Sequence, residues 1–464
     1  MKKFVYIILA LALTAAACDD KKQKQHEAPV LLSPSPADQA VDVLSDQVIQ
    51  LRFDEVITPA SPYNITVNNE AVEVRVSNLS LTTLELDLVL EAGRTYTVQV
   101  PAGAVVNSFG VALENAFSFS FTTKAEQVVA PDEQPVVANP SPEVVKVYNY
   151  LKEQYGKKSL SGTMSNVSWN INEAEWVHLH TGKWPAMTTV DYGHLNHSPA
   201  NWIDYNHTQF LEDWWLANGL VGASWHWVVP KTESVVSDPF AYTYKPEETT
   251  FKVANALTEG SWEHEVLQAD LAEMADYLLL LKEKNIPVLW RPLHEAAGNI
   301  YEYNNGTAWF WWGAGGADNY KALWIHMFEY FESRGLNNLL WVWTTQTKDA
   351  AFYPGDAYVD IVGRDIYNNG SGSDIAAQFA SIQAEYPNKM VTLSEFGSSA
   401  SFSKQWEAGA SWSYFMPWYD YDRTLNPGSE AFTGSSHEHA DVAWWQDAAA
   451  HADVLWREDL PSLK

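Results

Sequence analysis

The sequence predicts a (β/α)8 barrel over residues 142–464, preceded by a smaller all-β sandwich over residues 30–123. Three observations carry that expectation. Beyond residue 142 short apolar runs alternate with longer amphipathic segments, the texture of βα units. Eight such runs occur, the number a closed barrel requires. Before residue 124 the pattern is period-two alternation broken by Pro, Gly and Asn, without tryptophan; all 22 tryptophans lie at or after Trp169.

The candidate barrel strands are residues 159–163, 185–190, 220–225, 287–290, 339–344, 361–366, 390–394 and 411–415. Between them, residues 263–284 place Leu267, Leu271, Met274, Leu278 and Leu281 at helical spacing, and residues 319–334 do the same with aromatics and Leu323. A doubly wound sheet is the competing architecture. No phosphate-cradling glycine loop follows a strand, however, and Gly313-Ala314-Gly315-Gly316 reads as a turn after aromatics.

In the sandwich, Val48-Ile49-Gln50-Leu51-Arg52-Phe53, Thr95-Tyr96-Thr97-Val98-Gln99-Val100 and Phe117-Ser118-Phe119-Ser120-Phe121 alternate as half-buried strands. Ser33-Pro34-Ser35-Pro36-Ala37-Asp38, Phe53-Asp54-Glu55 and Phe119-Ser120-Phe121-Thr122-Thr123 resemble the bacterial Ig-like domain of surface proteins. A spacer is expected, with a carbohydrate-binding module as the alternative. Residues 124–141, rich in Pro, Val, Ala and acidic groups, read as a linker.

Lys2 and Lys3, the apolar residues 4–13 and Ala15-Ala16-Ala17 read as a signal peptide over residues 1–17. Its apolar stretch is shorter than the roughly 20 residues that span a bilayer. It resembles a bacterial lipoprotein signal, with Ala15 where Leu is commonest. That resemblance implies lipidation of Cys18, a polar tether over residues 18–29 and a place in the cell envelope, outward-facing on the outer membrane. A secreted protein is the alternative. Cys18 is the single cysteine, so no internal disulfide is expected.

A formal net charge of -29 makes nucleic acid and anionic membrane surfaces poor partners, because approach to phosphate is repulsive. A neutral polymer suits such a chain, with membrane contact only through the lipid anchor. Glu295 closes the run Ile286-Pro287-Val288-Leu289-Trp290-Arg291-Pro292-Leu293-His294-Glu295, and Glu395 closes Met390-Val391-Thr392-Leu393-Ser394-Glu395. On a barrel they stand at the carboxyl ends of strands four and seven, where such folds keep their active sites. Two carboxyls about 5–5.5 Å apart are the equipment of a retaining glycosidase. Each shifts the other's pKa, leaving one protonated and one ionised near neutrality.

Other chemistries fit less well. A zinc protease needs a histidine four positions after His294, where Gly298 stands, and no Gly-x-Ser-x-Gly elbow occurs. His437-Glu438-His439 lies in a Ser- and Gly-rich stretch and reads as a solvated loop. No metal and no cofactor are expected.

Trp290-Arg291-Pro292-Leu293-His294-Glu295, Trp309-Phe310-Trp311-Trp312-Gly313, Gly363-Arg364-Asp365-Ile366-Tyr367 and Leu393-Ser394-Glu395-Phe396-Gly397 together resemble glycoside hydrolase family 26, best known for β-mannanases. The likeness covers residues 142–464. It implies that Glu295 is the acid/base, Glu395 the nucleophile and His294 a neighbour orienting both through hydrogen bonds. Asp365 and Tyr367 would hold the sugar and the nucleophile. His226, in Ser224-Trp225-His226-Trp227, matches the family's third strand end and would contact the sugar under attack.

Pyranose faces stack on indoles, which makes Trp309 and Trp418 the candidate platforms flanking the cleaved bond. Trp341, Trp343, Trp444 and Trp445 read instead as core. Two departures stand out: Tyr419 follows Trp418 where some members carry arginine, and the 296–308 connection is longer than the family pattern. The implied activity is internal cleavage of β-1,4-mannan, galactomannan or glucomannan by a monomer. A β-1,3-xylanase, a mixed-linkage β-glucanase, a mannobiose-releasing exo-enzyme and a non-catalytic glycan-binding lipoprotein are the alternatives.

Overall fold

The computed structural model describes residues 26–44, 47–91, 93–124, 131–193 and 203–464. The signal peptide, Cys18 and most of the tether lie outside them. Two compact units result, Met1–Gln127 and Val128–Lys464.

The first unit is built from strands whose alternate residues face inward. Ile49, Leu51 and Phe53 are buried while Arg52 between them is exposed. A four-stranded sheet runs in the order Leu31–Ser35, Ile49–Phe53, Ser80–Asp87, Glu73–Ser77. A five-stranded one runs Ala40–Val43, Phe117–Thr123, Thr95–Val100, Thr66–Val67, Glu70–Ala71. Leu51, Ile65, Leu84, Val98 and Val105 have no exposed surface in their shared core.

The second unit is a closed barrel of eight parallel strands: β1 (Ser159–Met164), β2 (Met187–Asp191), β3 (Leu220–Trp225), β4 (Val288–Pro292), β5 (Leu339–Thr345), β6 (Ile361–Tyr367), β7 (Met390–Gly397) and β8 (Tyr414–Pro417). The ring closes because β1 pairs with β2 on one side and β8 on the other. Every residue of β5 and β7 is buried, as parallel strands covered on both faces must be. The last strand lies a turn later than predicted: Trp412 leaves the apolar run to pack edge-on against Phe379, and pairing begins at Tyr414.

The helix Trp262–Glu283 begins at Ser261, whose hydroxyl accepts from the His264 N–H. Leu267, Leu271, Met274, Leu278 and Leu281 form its fully buried stripe, as their spacing requires. The fifth βα unit departs from the pattern. Residues 346–360 hold two 3-10 turns, Ala350–Phe352 and Asp356–Tyr358, in place of a helix. Pro354 and the left-handed Gly355 interrupt the segment between them. No helix among the described residues is long and apolar enough to cross a membrane.

Residues 131–141, expected to be linker, are bound to the barrel. Val136 N–H donates to Asp360 Oδ1 (2.8 Å), Ala138 N–H to Glu332 Oε1 (2.6 Å), and Val137 is 3% exposed within the core. Asp132 forms an ion pair with the buried Lys389, whose ammonium also donates to the Asp356 carbonyl (2.8 Å). Short acidic and apolar stretches look alike in sequence whether they are solvated or docked. Asp132→Ala leaves this buried ammonium short of an acceptor, and a loss of about 1–3 kcal/mol is expected. Urea unfolding of the barrel measures it; wild-type stability would show that the segment does not brace the fold.

Candidate active site

Three carboxylates and one guanidinium meet at the carboxyl ends of β4, β6 and β7. Arg291, 2% exposed in β4, forms an ion pair through Nη2 with Asp365 of β6. Its Nη1 lies 3.2 Å from Glu395 Oε2 of β7. That second contact is at ion-pair distance without hydrogen-bond alignment, for neither atom has a hydrogen-bond partner among the described residues. Arg291 Nε donates to Thr344 Oγ1 (2.9 Å) and Ser394 Oγ to Asp365 Oδ1 (2.7 Å), fixing both ends of the bridge.

The position of Glu395 depends on a bulge. In the β6–β7 ladder Arg364 faces Leu393, but Asp365 faces Glu395, so Ser394 is an extra residue. A one-residue slip turns a strand's side chains over, and here it brings Glu395 to the same side as Asp365. Gly363 makes room for the bulge: a Cβ there would lie 2.4 Å from Ser394 Oγ.

Glu295 is set differently. It stands three residues past the end of β4, in a turn where Leu293 and Glu295 adopt left-handed φ of 47° and 50°. Such residues cost on the order of 1–3 kcal/mol each unless their surroundings hold them. Here each carbonyl of the turn is occupied. Tyr320 OH donates to Leu293 O (3.0 Å), Trp312 Nε1 to His294 O (2.9 Å), and Gly298 N–H to Glu295 O (2.9 Å). The Glu295 side chain accepts from Gln346 Nε2 at 3.2 Å.

Electrostatics separate the two glutamates. Burial pushes Glu295 well above the usual carboxylate range, the Asp365 and Glu395 charges and a hydrogen bond to the Asp365 carboxylate push it further, and Arg291 opposes them. Glu395 is raised by burial and by Asp365, but Arg291, the Tyr367 hydroxyl and His226 hold it back. Glu395 therefore ionises first and Glu295 keeps its proton longer. Tyr367 donates its hydroxyl to Glu395 Oε1. Burial and Glu395 push the Tyr367 phenol up, so it stays protonated, and 37% of the residue remains exposed to meet a ligand.

His226 Nδ1 lies 2.6 Å from Asp191 Oδ2, which assigns the Nδ1 proton and turns Nε2 outward. Burial disfavours charge on this ring, but Asp191 and Glu395 outweigh burial and the net shift is upward. His294 is the reverse case. Burial, Arg291 and His226 hold it well below the usual histidine range, and it is neutral. The hydrogen bonds expected from His294 to the glutamates are absent among the described residues: its Nδ1 is unpartnered, and its ring packs against His226, Phe310 and Trp312. That aromatic packing, not a polar contact, fixes it.

Trp418 packs edge-on against His226 with ring centroids 5.4 Å apart, which places it at the site. Trp309 is 40% exposed and directly precedes Phe310, whose ring touches both histidines. Trp341, Trp343, Trp444 and Trp445 are core residues. The solvated-loop reading of residues 437–439 is corrected. The His437 side chain is 1% exposed and donates from Nε2 to Glu173 Oε2 (3.0 Å), while its Nδ1 accepts two backbone N–H groups. His439 lies edge-on to Tyr367. No group of His, Cys, Asp and Glu among the described residues has the arrangement of a metal site.

Sequence reasoning missed Arg291, Gln346, Asp191 and Phe310. Arg291 and Phe310 stood inside motifs that were read for their neighbours. Asp191 and Gln346 each end or follow an apolar run, the signal that found Glu395.

Gly397 lets Tyr367 reach across β7, since a Cβ there would lie 2.6 Å from Tyr367 Cε1 and 2.4 Å from His439 Nδ1. Gly397→Ala is expected to displace the phenol from Glu395 and lower kcat about 10–100-fold with little change in melting temperature. Steady-state kinetics beside a thermal scan check this, and unaltered kcat would show that the contact is dispensable.

Residues 136–437 match glycosyl hydrolase family 26, and residues 25–123 match the bacterial Ig-like domain. Mannan endo-1,4-beta-mannosidase B of Piromyces sp is 32% identical over 327 residues, covering 68% of this chain and 53% of that protein. Mannan endo-1,4-beta-mannosidase of Thermothelomyces thermophilus is 31% identical over 72% of this chain and 69% of its own length. The chain thus spans about half of the first relative. Among solved structures, the family 26 domain of a Prevotella bryantii endo-beta-mannanase/endo-beta-glucanase is 36% identical, with a TM-score of 0.63 over 71% of this chain and 99% of that domain. A beta-mannanase from a symbiotic protist of the termite Reticulitermes speratus, complexed with gluco-manno-oligosaccharide, is 30% identical with a TM-score of 0.59, covering 72% and 99%. The matched span, the fold and these relatives agree, and the chain belongs to glycosyl hydrolase family 26.

Proposed function

We propose that this chain is a retaining endo-β-1,4-mannanase in which Glu395 is the nucleophile and Glu295 the acid/base. The observation that carries this reading is the asymmetry of the pair. Glu395 Oε1 is anchored by Tyr367, and its Oε2 sits beside Arg291 with no aligned hydrogen bond among the described residues, leaving that oxygen's lone pairs free to attack. Glu295 has less cationic support and retains a proton to donate.

In the first step Glu395 Oε2 bonds to the anomeric carbon as the glycosidic bond breaks, and the Glu295 proton passes to the departing oxygen. In the second, water gives a proton to Glu295 and its oxygen to the anomeric carbon, releasing Glu395. Arg291 balances the charge that Glu395 carries in free enzyme and loses in the ester. His226, Asp365, Tyr367, Trp309 and Trp418 contact the sugars. The mannan preference rests on the named relatives, and the lipid anchor on the leader through Cys18.

NMR during hydrolysis of a mannooligosaccharide is expected to show the β-anomer first; first appearance of the α-anomer rules the mechanism out. Glu395→Ala is expected to lower kcat roughly 10⁴-fold or more. The pH profile of kcat/KM should be a bell. Its acid limb is protonation of Glu395 and its basic limb deprotonation of Glu295, with macroscopic values that belong to the pair. Because burial raises both groups, the window lies above the ordinary carboxylate range. Full activity at pH 4 would contradict that. Product profiles on mannan, β-1,3-xylan and mixed-linkage β-glucan test the substrate, and binding to mannan without release of reducing ends would favour a glycan-binding protein. Cys18→Ala should free the chain from the membrane fraction, and retention there would argue against lipidation.

A further inference from the structure

We propose that Gln346 is the positioning residue for the acid/base carboxyl: its side-chain amide donates to Glu295 Oε1 and thereby leaves Oε2 as the oxygen that carries the transferred proton. This inference deepens the mechanism above and rests on the assignment of Glu295 as acid/base.

Gln346 directly follows β5 and is 8% exposed. Its amide is 3.2 Å from Glu295 Oε1. Tyr367 and Arg291 attend Glu395 instead. The turn carrying Gln346 is held by polar bonds. Gln346 N–H donates to Asp349 Oδ2 (2.7 Å) and Thr345 Oγ1 to Asp349 Oδ1 (2.6 Å), so one carboxylate clamps both residues. Arg364 donates from Nη1 to Thr345 O (3.1 Å), from Nη2 to Thr347 Oγ1 (3.3 Å) and from Nε to Gln378 Oε1 (3.1 Å). Lys348 then takes a left-handed φ of 58° to close the turn. A cavity of about 200 Å³, lined by Gln346, Asp349, Arg364 and Gln378, lies against this turn, so packing alone does not hold it.

The chemistry explains the need for such a group. Glu295 gives up its proton in the first step and takes one from water in the second, and both transfers must use the oxygen facing the reacting bond. An amide N–H on Oε1 disfavours a proton there and supports the carboxylate that the second step requires. An ammonium or guanidinium in its place would stabilise the carboxylate too strongly and strip the acid before the first step. A neutral donor suits a group that must work in both forms.

The test uses the full chain, an aryl β-mannooligosaccharide with a good leaving group, for which the second step limits kcat, and unactivated mannooligosaccharide. Gln346→Leu removes the donor, and Gln346→Asn withdraws it by one methylene where the leucine variant does not fold. Either is expected to move the basic limb of kcat/KM, on the unactivated substrate, up by about 0.4–1 pH unit, and the acid limb of kcat on the aryl substrate up by a similar amount. Glu295→Gln is the control that assigns the limb. If the basic limb persists in Glu295→Gln, the acid/base assignment fails. If the limb belongs to Glu295 but stays at its wild-type position in the Gln346 variants, whatever their activity, the inference about Gln346 is overturned and the mechanism stands.

Discussion

One buried guanidinium serving three carboxylates is the constraint on which the site is built. Arg291 is nearly inaccessible to water and lies against Asp365 and Glu395, with Glu295 the next charge it feels. Arg291, assisted at Glu395 by His226, does not balance three negative charges in a low-dielectric pocket, so one carboxyl keeps a proton. Which one is decided by position along the bridge. Asp365 has the ion pair and the Ser394 hydroxyl, Glu395 has the second guanidinium nitrogen and the Tyr367 phenol, and Glu295 has a neutral amide and the Asp365 carboxylate, to which its proton can bond. The difference in proton affinity between the glutamates is thus a consequence of charge counting, and removing Arg291 would raise both.

The geometry that delivers these groups is costly in backbone terms. Non-glycine residues with left-handed φ follow four consecutive strands: Leu293 and Glu295 after β4, Lys348 after β5, Asn368 after β6 and Ser398 after β7. At about 1–3 kcal/mol for each strained position, with Asn the mildest, the upper rim would not persist by itself. Beneath it lie Trp225, Trp227, Trp290, Trp312, Trp341 and Trp343, all buried. Truncation of one such side chain costs about 3–5 kcal/mol, more than one strained turn. Trp312 connects the two ledgers directly, since the indole that stacks on Phe310 also donates to the carbonyl of His294.

The parts legible in the sequence were those that repeat. Eight apolar runs gave the barrel, and alternation gave the sandwich, because burial imposes a period on any strand that repeats it. Glu295 and Glu395 were legible because charge at the end of a buried run is rare. Gln346 and Asp191 sit in equivalent places, yet one is uncharged and the other is one of 58 acidic residues, so neither stood out. The bulge at Ser394 was invisible for a different reason: it depends on the empty space above Gly363 on a neighbouring strand, which no local pattern records. The lost fifth helix could be anticipated only from Pro354 and Gly355, and the docking of residues 131–141 requires partners more than 190 positions away. The tryptophans suggested sugar stacking, but most of those among the described residues support the core, and Trp309 is the one that is largely exposed.

The loop around Trp418 is likewise held by a buried carboxylate. Glu173, 4% exposed in the helix Asn172–Thr181, accepts from Asp420 N–H (2.8 Å) and Thr424 Oγ1 (2.7 Å) with one oxygen and from His437 with the other. It joins the first βα unit to the segments after β8, which carry Trp418 at one end and His439 at the other. Because His437 Nδ1 accepts backbone N–H groups, the ring donates from Nε2. A closed barrel has no free edge on which to hang a substrate loop. Its rim must therefore be tied across the ring, and a buried carboxylate that satisfies three donors from two loops does so with one side chain.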